Sequence, residues 1–257
     1  MRWHLTCRDG ASTSMSDPKH QNDIYGELDN AQGTPAIPAS TVVILRDGES
    51  GMEVLMLHRT SRVHFGGMWA FPGGRIDPED YPENGDLEVA ARNAAVRETR
   101  EEANLEIDAD QFVPFAHWTP PPTTHRRYAT WFYACAARKE HQTVEVDGEE
   151  IQDHRWIRPR TALRLHADGE IDLAPPTWVT LYHLDRHQPA RAALAHFAAS
   201  KTRTYETHVG TRADGVRVAM WRGDAGYDVM QPDREGPRHR LIMRREGFSF
   251  EHPDEMY

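Results

Sequence analysis

GGRIDPEDYPENGDLEVAARNAAVRETREEANL, residues 73–105, opens on two glycines and closes on an acidic cluster. Glu98, Glu101 and Glu102 stand at i, i+3 and i+4, so a helix brings their three carboxylates to one face. Like charges so placed repel unless water screens them or a divalent cation neutralises them, and hard oxygen donors of this kind suit Mg²⁺ or Mn²⁺. A solvated acidic face is the ordinary explanation for an isolated glutamate pair, but the preceding residues argue for the other one. Residues 68–74, MWAFPGG, read as a short apolar strand ending in a Gly-Gly turn, whose backbone permits positive φ and close approach of a ligand. Residues 87–96, LEVAARNAAV, are helix formers with a small-residue face through Leu87, Ala91, Ala94 and Ala95 that suits packing on a sheet.

This order of strand, glycine loop and carboxylate-bearing helix resembles the Nudix hydrolase box, in which a glycine, a downstream acidic residue and an Arg-Glu-x-x-Glu-Glu helix bind divalent metals around a diphosphate. Gly74 takes the glycine place, Asp80 falls where the family usually has glutamate, and Arg97, Glu98, Glu101 and Glu102 match the helical core of the motif. Sixteen residues, 81–96, separate Asp80 from Arg97 where the family spacing is seven, which leaves the role of Asp80 open. Asn104 replaces the usual glycine after the helix, a mild change because Asn tolerates a left-handed cap.

At 257 residues the chain has room for a sizeable core. Its net charge of −10 and pI near 5.8 argue against broad nucleic-acid binding, which needs a basic footprint. A phosphorylated substrate stays compatible, because bound cations and a few arginines make a local positive site. Two cysteines, Cys7 and Cys135, do not make a disulfide framework, no apolar run reaches the length of a membrane span, and a cytoplasmic location is expected.

Outward from the box, residues 1–38 are polar and aperiodic and read as a flexible tail, with Met15 as plausible a start as Met1. Residues 41–46 and 53–58 read as two strands, 112–118 and 128–136 as two more, and 159–167 as a helix. Arg59 and Arg62, leading into the box, are candidate phosphate ligands. So are Arg126 and Arg127, at the end of the proline-rich loop 119–127. An apolar-periodic run that begins at the prolines of residues 175–176 and continues through residues 190–197, with Pro189 marking a break, reads as packing helices. From residue 202 onward, short strands at 216–221, 240–244 and 248–250 alternate with glycine turns and carry no catalytic constellation of their own.

The resemblance implies a Nudix-like α/β/α sandwich with a mixed sheet over residues 39–200, and the pattern beyond it a small β-rich C-terminal extension over residues 201–257. It also implies metal binding by Glu98, Glu101 and Glu102, with Arg97 orienting a carboxylate, Glu98 or Glu150 as base, and Gly73 and Gly74 beside the substrate. Glu145 and Glu149 compete with Glu150 for its place. The implied activity is Mg²⁺- or Mn²⁺-dependent hydrolysis of a nucleoside diphosphate linked to another group. The box insertion and flanking loops are similar to the coenzyme A diphosphatase branch. ADP-ribose, NADH and dinucleoside polyphosphates are the alternatives, and a sensor that binds a diphosphate without cleaving it is the alternative outside the enzymes. A homodimer is left open.

Overall fold

The computed structural model describes residues 35–60, 66–122, 124, 127–138 and 143–253. The expected tail lies almost wholly outside the described residues, and the first strand, β1 (Ile37–Gly48), already begins at Ile37. β1 turns at Gly51 (φ +124°) into β2 (Gly51–Arg59), and the two pair antiparallel. Residues 68–75 split into two three-residue strands, β3 (Met68–Ala70) on β2 and β4 (Gly73–Arg75) on β1, so the paired glycines are strand as well as turn.

Next comes α1 (Leu87–Ala103), capped by Asp86, whose side chain accepts from the backbone N–H groups of Glu88 and Val89, and closed by Asn104 in the left-handed region at φ 52°. The packing face differs by one position from the expected one. Leu87 is 40 % exposed, whereas Ala90 joins Ala91, Ala94 and Ala95 at 0 %. Four methyl groups in place of larger side chains let the helix lie close against Val42, Ile44, Leu55 and Leu57, the alternate residues of β1 and β2 that form its floor.

β5 (Val113–Thr119) and β6 (Tyr128–Ala136) form an antiparallel pair, and β6 runs parallel to β1 through nine residues. β7 (Ile151–Ile157) pairs with β2, and β8 (Asp172–Leu173) lies parallel to β3. On the face opposite α1, Val43, Leu45, Val54 and Met56 meet α2 (Pro159–Ala167), α3 (Pro175–Leu184) and α4 (Ala190–Ala199) in the larger core. The result is the expected α/β/α sandwich on a mixed sheet.

The C-terminal segment carries the expected small β sheet, but it begins by extending the main one. β9 (Arg203–Glu206) adds to the main sheet as a parallel neighbour of β5, giving nine strands in all. Only then does the chain form the small antiparallel sheet β10 (His208–Thr211), β11 (Arg217–Met220), β12 (Arg240–Arg244) and β13 (Gly247–Glu251). Val209, Ala219, Trp221 and Leu241 of this sheet belong to the same buried cluster as α3 and α4, so the two sheets share a core. No helix of the described residues is long and apolar enough to cross a membrane.

Candidate active site

β4 runs beside β1 in a register that only glycine allows. Gly73 sits at φ +149°, and a Cβ there would lie 2.3 Å from the Ser40 carbonyl oxygen. A Cβ on Gly74 would lie 2.4 Å from Oε1 of Glu98. The two glycines therefore bring bare backbone against the carboxylate turn of α1, and Thr41 Oγ1 pins the bend before them by donating to the Pro72 carbonyl at 2.6 Å.

The three glutamates of α1 face different partners. Glu102 is buried, with Oε2 accepting from the Gly73 N–H and Oε1 from Arg59 Nη1, both at 2.9 Å. Burial pushes its pKa up to about 8, against the opposing pull of Arg59 and of the Gly73 N–H. Glu98 is raised by burial as well, opposed by Arg97, whose Nη1 lies 3.0 Å from Glu98 Oε1. Glu101 is more than half exposed and accepts from the same Nη1 at 3.0 Å. Arg97 holds both oxygens of Asp80, which together with Glu98 fixes it as a cation far above its usual range. That pair answers the question the long insertion left open: Asp80 anchors Arg97, with residues 81–86 turning between Asp80 and the start of α1.

Glu150 reaches the cluster from the loop before β7. Asp147 builds that loop, its side chain accepting from the backbone N–H groups of Glu149, Glu150 and Ile151 at 3.1, 3.2 and 2.9 Å. Arg59 Nη2 lies 3.3 Å from Glu150 Oε2, so one guanidinium bridges Glu102 and Glu150. Glu149 lines the cleft without such a bond, and Glu145 lies elsewhere, accepting from Asn104 at the end of α1. Sequence reading missed Asp147, whose signal was an acidic residue opening an Asp-Gly turn.

One expected phosphate ligand among the described residues is not brought here. Arg127 does not line the cleft: its Nε and Nη2 donate to the Pro120 carbonyl at 3.3 and 3.0 Å, which holds the proline loop. Arg126 lies outside the described residues, as does Arg62.

The glycines and carboxylates form one side of a cleft of about 730 Å³. The other side is apolar and aromatic, with Trp69, Phe71, Trp118, Phe132 and Pro176 in its walls. The acidic side offers only hard carboxylate oxygens, with more negative charge than Arg59, Arg75 and Arg97 offset, and Gly74 lets the Glu98 carboxylate lie against bare backbone. This donor chemistry fits Mg²⁺ or Mn²⁺, with Glu98, Glu101, Glu102 and Glu150 as the residues to hold it. Among the described residues no three acidic, histidine or cysteine groups are already gathered as a ligand set, and the arginines supply the counter-charge instead.

Residues 36–179 match the NUDIX domain family. A Mycobacterium tuberculosis protein provisionally named 8-oxo-dGTP diphosphatase 3 is 31% identical over 147 residues, in each of two strains. The match covers 55% of this chain and 58% of that protein, so the chain spans less than two thirds of the curated relatives it matches. A solved NUDIX hydrolase from Alicyclobacillus acidocaldarius is similar in fold, with a TM-score of 0.55 at 23% identity over 63% of this chain and 96% of that chain. The family match runs from β1 into α3, more than half of the sequence, and takes in every glycine and carboxylate described above: the chain belongs to the NUDIX domain family.

Proposed function

We propose that this protein hydrolyses the diphosphate of a nucleoside diphosphate derivative. The observation that carries the reading is the convergence of Glu98, Glu101, Glu102 and Glu150 with the bare backbone of Gly73 and Gly74 on one side of a cleft large enough for a nucleotide. Water attacks phosphorus, a P–O bond of the diphosphate breaks, and the bridging oxygen leaves on the other phosphate. Glu98 is the proposed base: burial raises its affinity for a proton, and Gly74 has no side chain to collide with its carboxylate. Of the four carboxylates able to hold a cation, Glu101, Glu102 and Glu150 are the proposed metal ligands while Glu98 is left to the water, and a bound Mg²⁺ or Mn²⁺ would supply charge neutralisation and a lower water pKa. Arg97 positions Glu98 and Glu101, and Arg59 is set to meet phosphate once its carboxylate partners turn elsewhere.

The finer reading is cleavage of a coenzyme A species to 3′,5′-ADP and a 4′-phosphopantetheine product. It is supported by the nine-residue insertion in the box and weakened by Arg127, which is spent on Pro120 and does not stand ready for a 3′-phosphate. The name of the M. tuberculosis relative favours a second reading, an oxidised nucleoside triphosphate as substrate.

The test incubates coenzyme A, acetyl-coenzyme A, ADP-ribose, NADH, diadenosine tetraphosphate and 8-oxo-dGTP with the protein and Mg²⁺ or Mn²⁺, and resolves the products by chromatography. Metal-dependent release of a nucleoside monophosphate or 3′,5′-ADP is expected. Tight binding of one compound with no product would replace the hydrolase reading by that of a sensor.

A further inference from the structure

Thr207 lies in the bend between β9 and β10, beyond the residues that match the NUDIX family, and yet it lines the cleft. It is 3 % exposed, and its surroundings fix it tightly. Its backbone N–H donates to the Thr119 carbonyl at 2.9 Å, and Thr119 also lines the cleft. Two residues earlier, Tyr205 stacks on Trp118 with ring centroids 3.8 Å apart and planes within 3°.

The hydroxyl has a defined polarity. Trp221, fully buried, donates its Nε1–H to Thr207 Oγ1 at 3.0 Å. An indole nitrogen can only donate, so the threonine oxygen must accept there, and its own proton remains to be given. Among the described residues that proton has no acceptor. The three arginines lining the cleft are all engaged on the acidic side, Arg59 with Glu102, Arg75 with Asp77 and Arg97 with Asp80. The apolar side therefore offers a neutral donor in a largely dry setting, which suits a neutral acceptor and disfavours a phosphate.

We propose that Thr207, held as a donor by Trp221, selects the organic half of the substrate by a hydrogen bond to a neutral acceptor, a carbonyl oxygen or a ring nitrogen. The proposal rests on the hydrolase reading for the identity of its cleft and adds to it a specificity group from the C-terminal segment. A site built to donate to such an acceptor discriminates strongly against ligands that lack it.

Isothermal titration of the full-length chain with AMP, GMP, 4′-phosphopantetheine and ribose 5-phosphate tests it, using wild type, Thr207→Val, Thr207→Ser and the double variant Trp221→Phe/Thr207→Val. AMP and GMP carry the acceptor on a base, 4′-phosphopantetheine carries it on an amide, and ribose 5-phosphate has neither. Thr207→Val should weaken the tightest-binding of the first three at least ten-fold, Thr207→Ser should stay within three-fold of wild type, and ribose 5-phosphate should bind all four proteins alike. The double variant removes the unsatisfied indole N–H, so it keeps the test valid where Thr207→Val melts early, and it should bind as weakly. The proposal is overturned if the valine-bearing proteins bind the tightest probe within two-fold of wild type, or if no probe binds more tightly than ribose 5-phosphate. Ligand selection by Thr207 without hydrolysis of any diphosphate would sink the hydrolase reading alone.

Discussion

Arg97 grips Asp80 through two parallel hydrogen bonds, Nε to Oδ1 at 3.0 Å and Nη2 to Oδ2 at 2.9 Å, while its remaining nitrogen reaches Glu98 and Glu101. One guanidinium thus ties the loop after β4 to the carboxylate turn of α1. Both residues are largely buried, and charge-assisted bonds of this kind contribute about 1.5–3 kcal/mol each. Lysine has one point of charge and cannot hold both partners.

Arg97→Lys and Asp80→Asn should therefore each cut kcat at least ten-fold while KM changes less, because the carboxylates lose their alignment and Asp80 does not line the cleft. Mn²⁺ affinity, read by the loss of free-ion signal in electron paramagnetic resonance, should fall in parallel. Unchanged kcat and Mn²⁺ affinity in both variants would show that the pair only braces the loop.

Glu101→Gln and Glu102→Gln should both lower metal-dependent turnover by orders of magnitude, and they should part company in stability. Glu101 is 58% exposed, so its replacement should leave the melting temperature within a degree or two. Glu102 is buried and its carboxyl is held up to about 8, so ionising it in the folded, metal-free protein costs stability, and its replacement should raise the melting temperature by several degrees at pH 9. Equal melting temperatures would contradict the burial assigned to Glu102, and retained turnover in either variant at limiting Mg²⁺ would remove that residue from the ligand set.

Local patterns carried much of this in the sequence. α1 was legible from its alanine face and its end signal at Asn104, and β6 and α2 run over the very residues their composition indicates. Long-range pairing was not legible. Asp80 and Arg97 meet across the turn of residues 81–86 and nearly three turns of α1, and no local periodicity encodes that. Arg127 looked the same in sequence whether it met a phosphate or the Pro120 carbonyl seven residues earlier. β9 is four residues long, and its parallel seat beside β5 comes after β6, β7, β8 and three helices, so Thr207 could not be placed at the cleft from its neighbours in sequence.

Cys135 gives a chemical check on the core. It is buried on β6, and burial pushes its thiol up to about 12, with Arg138 opposing. The thiolate is the reactive form, so at pH 8 almost none is present and reagent access is closed as well. In a Cys7→Ser background, a disulfide-exchange reagent should label no thiol in the native protein over hours and one thiol promptly in denaturant. Prompt native labelling would mean that β6 opens far more readily than its central place in the sheet implies.

Asp224 and Arg240 give the clearest pH-dependent stability. Both side chains are buried in the C-terminal unit, Arg240 donates to both carboxylate oxygens at 2.6 Å, and the Gly226 and His239 N–H groups add two more bonds. Burial by itself raises the carboxyl pKa, but the hydrogen bonds from Arg240 and the backbone outweigh it, so Asp224 lies below the ordinary carboxylate value. A folded pKa below the unfolded one means that the contribution is fully present above about pH 4 and is lost as pH falls through the lower folded value. Asp224→Asn strands Arg240 in the core and should cost about 3–5 kcal/mol at pH 7. The gap between variant and wild type, followed by urea unfolding from pH 7 down to pH 3, should narrow at the acid end. A gap that stayed constant over that range would show that the charge on Asp224 contributes nothing to stability and that packing alone accounts for the loss.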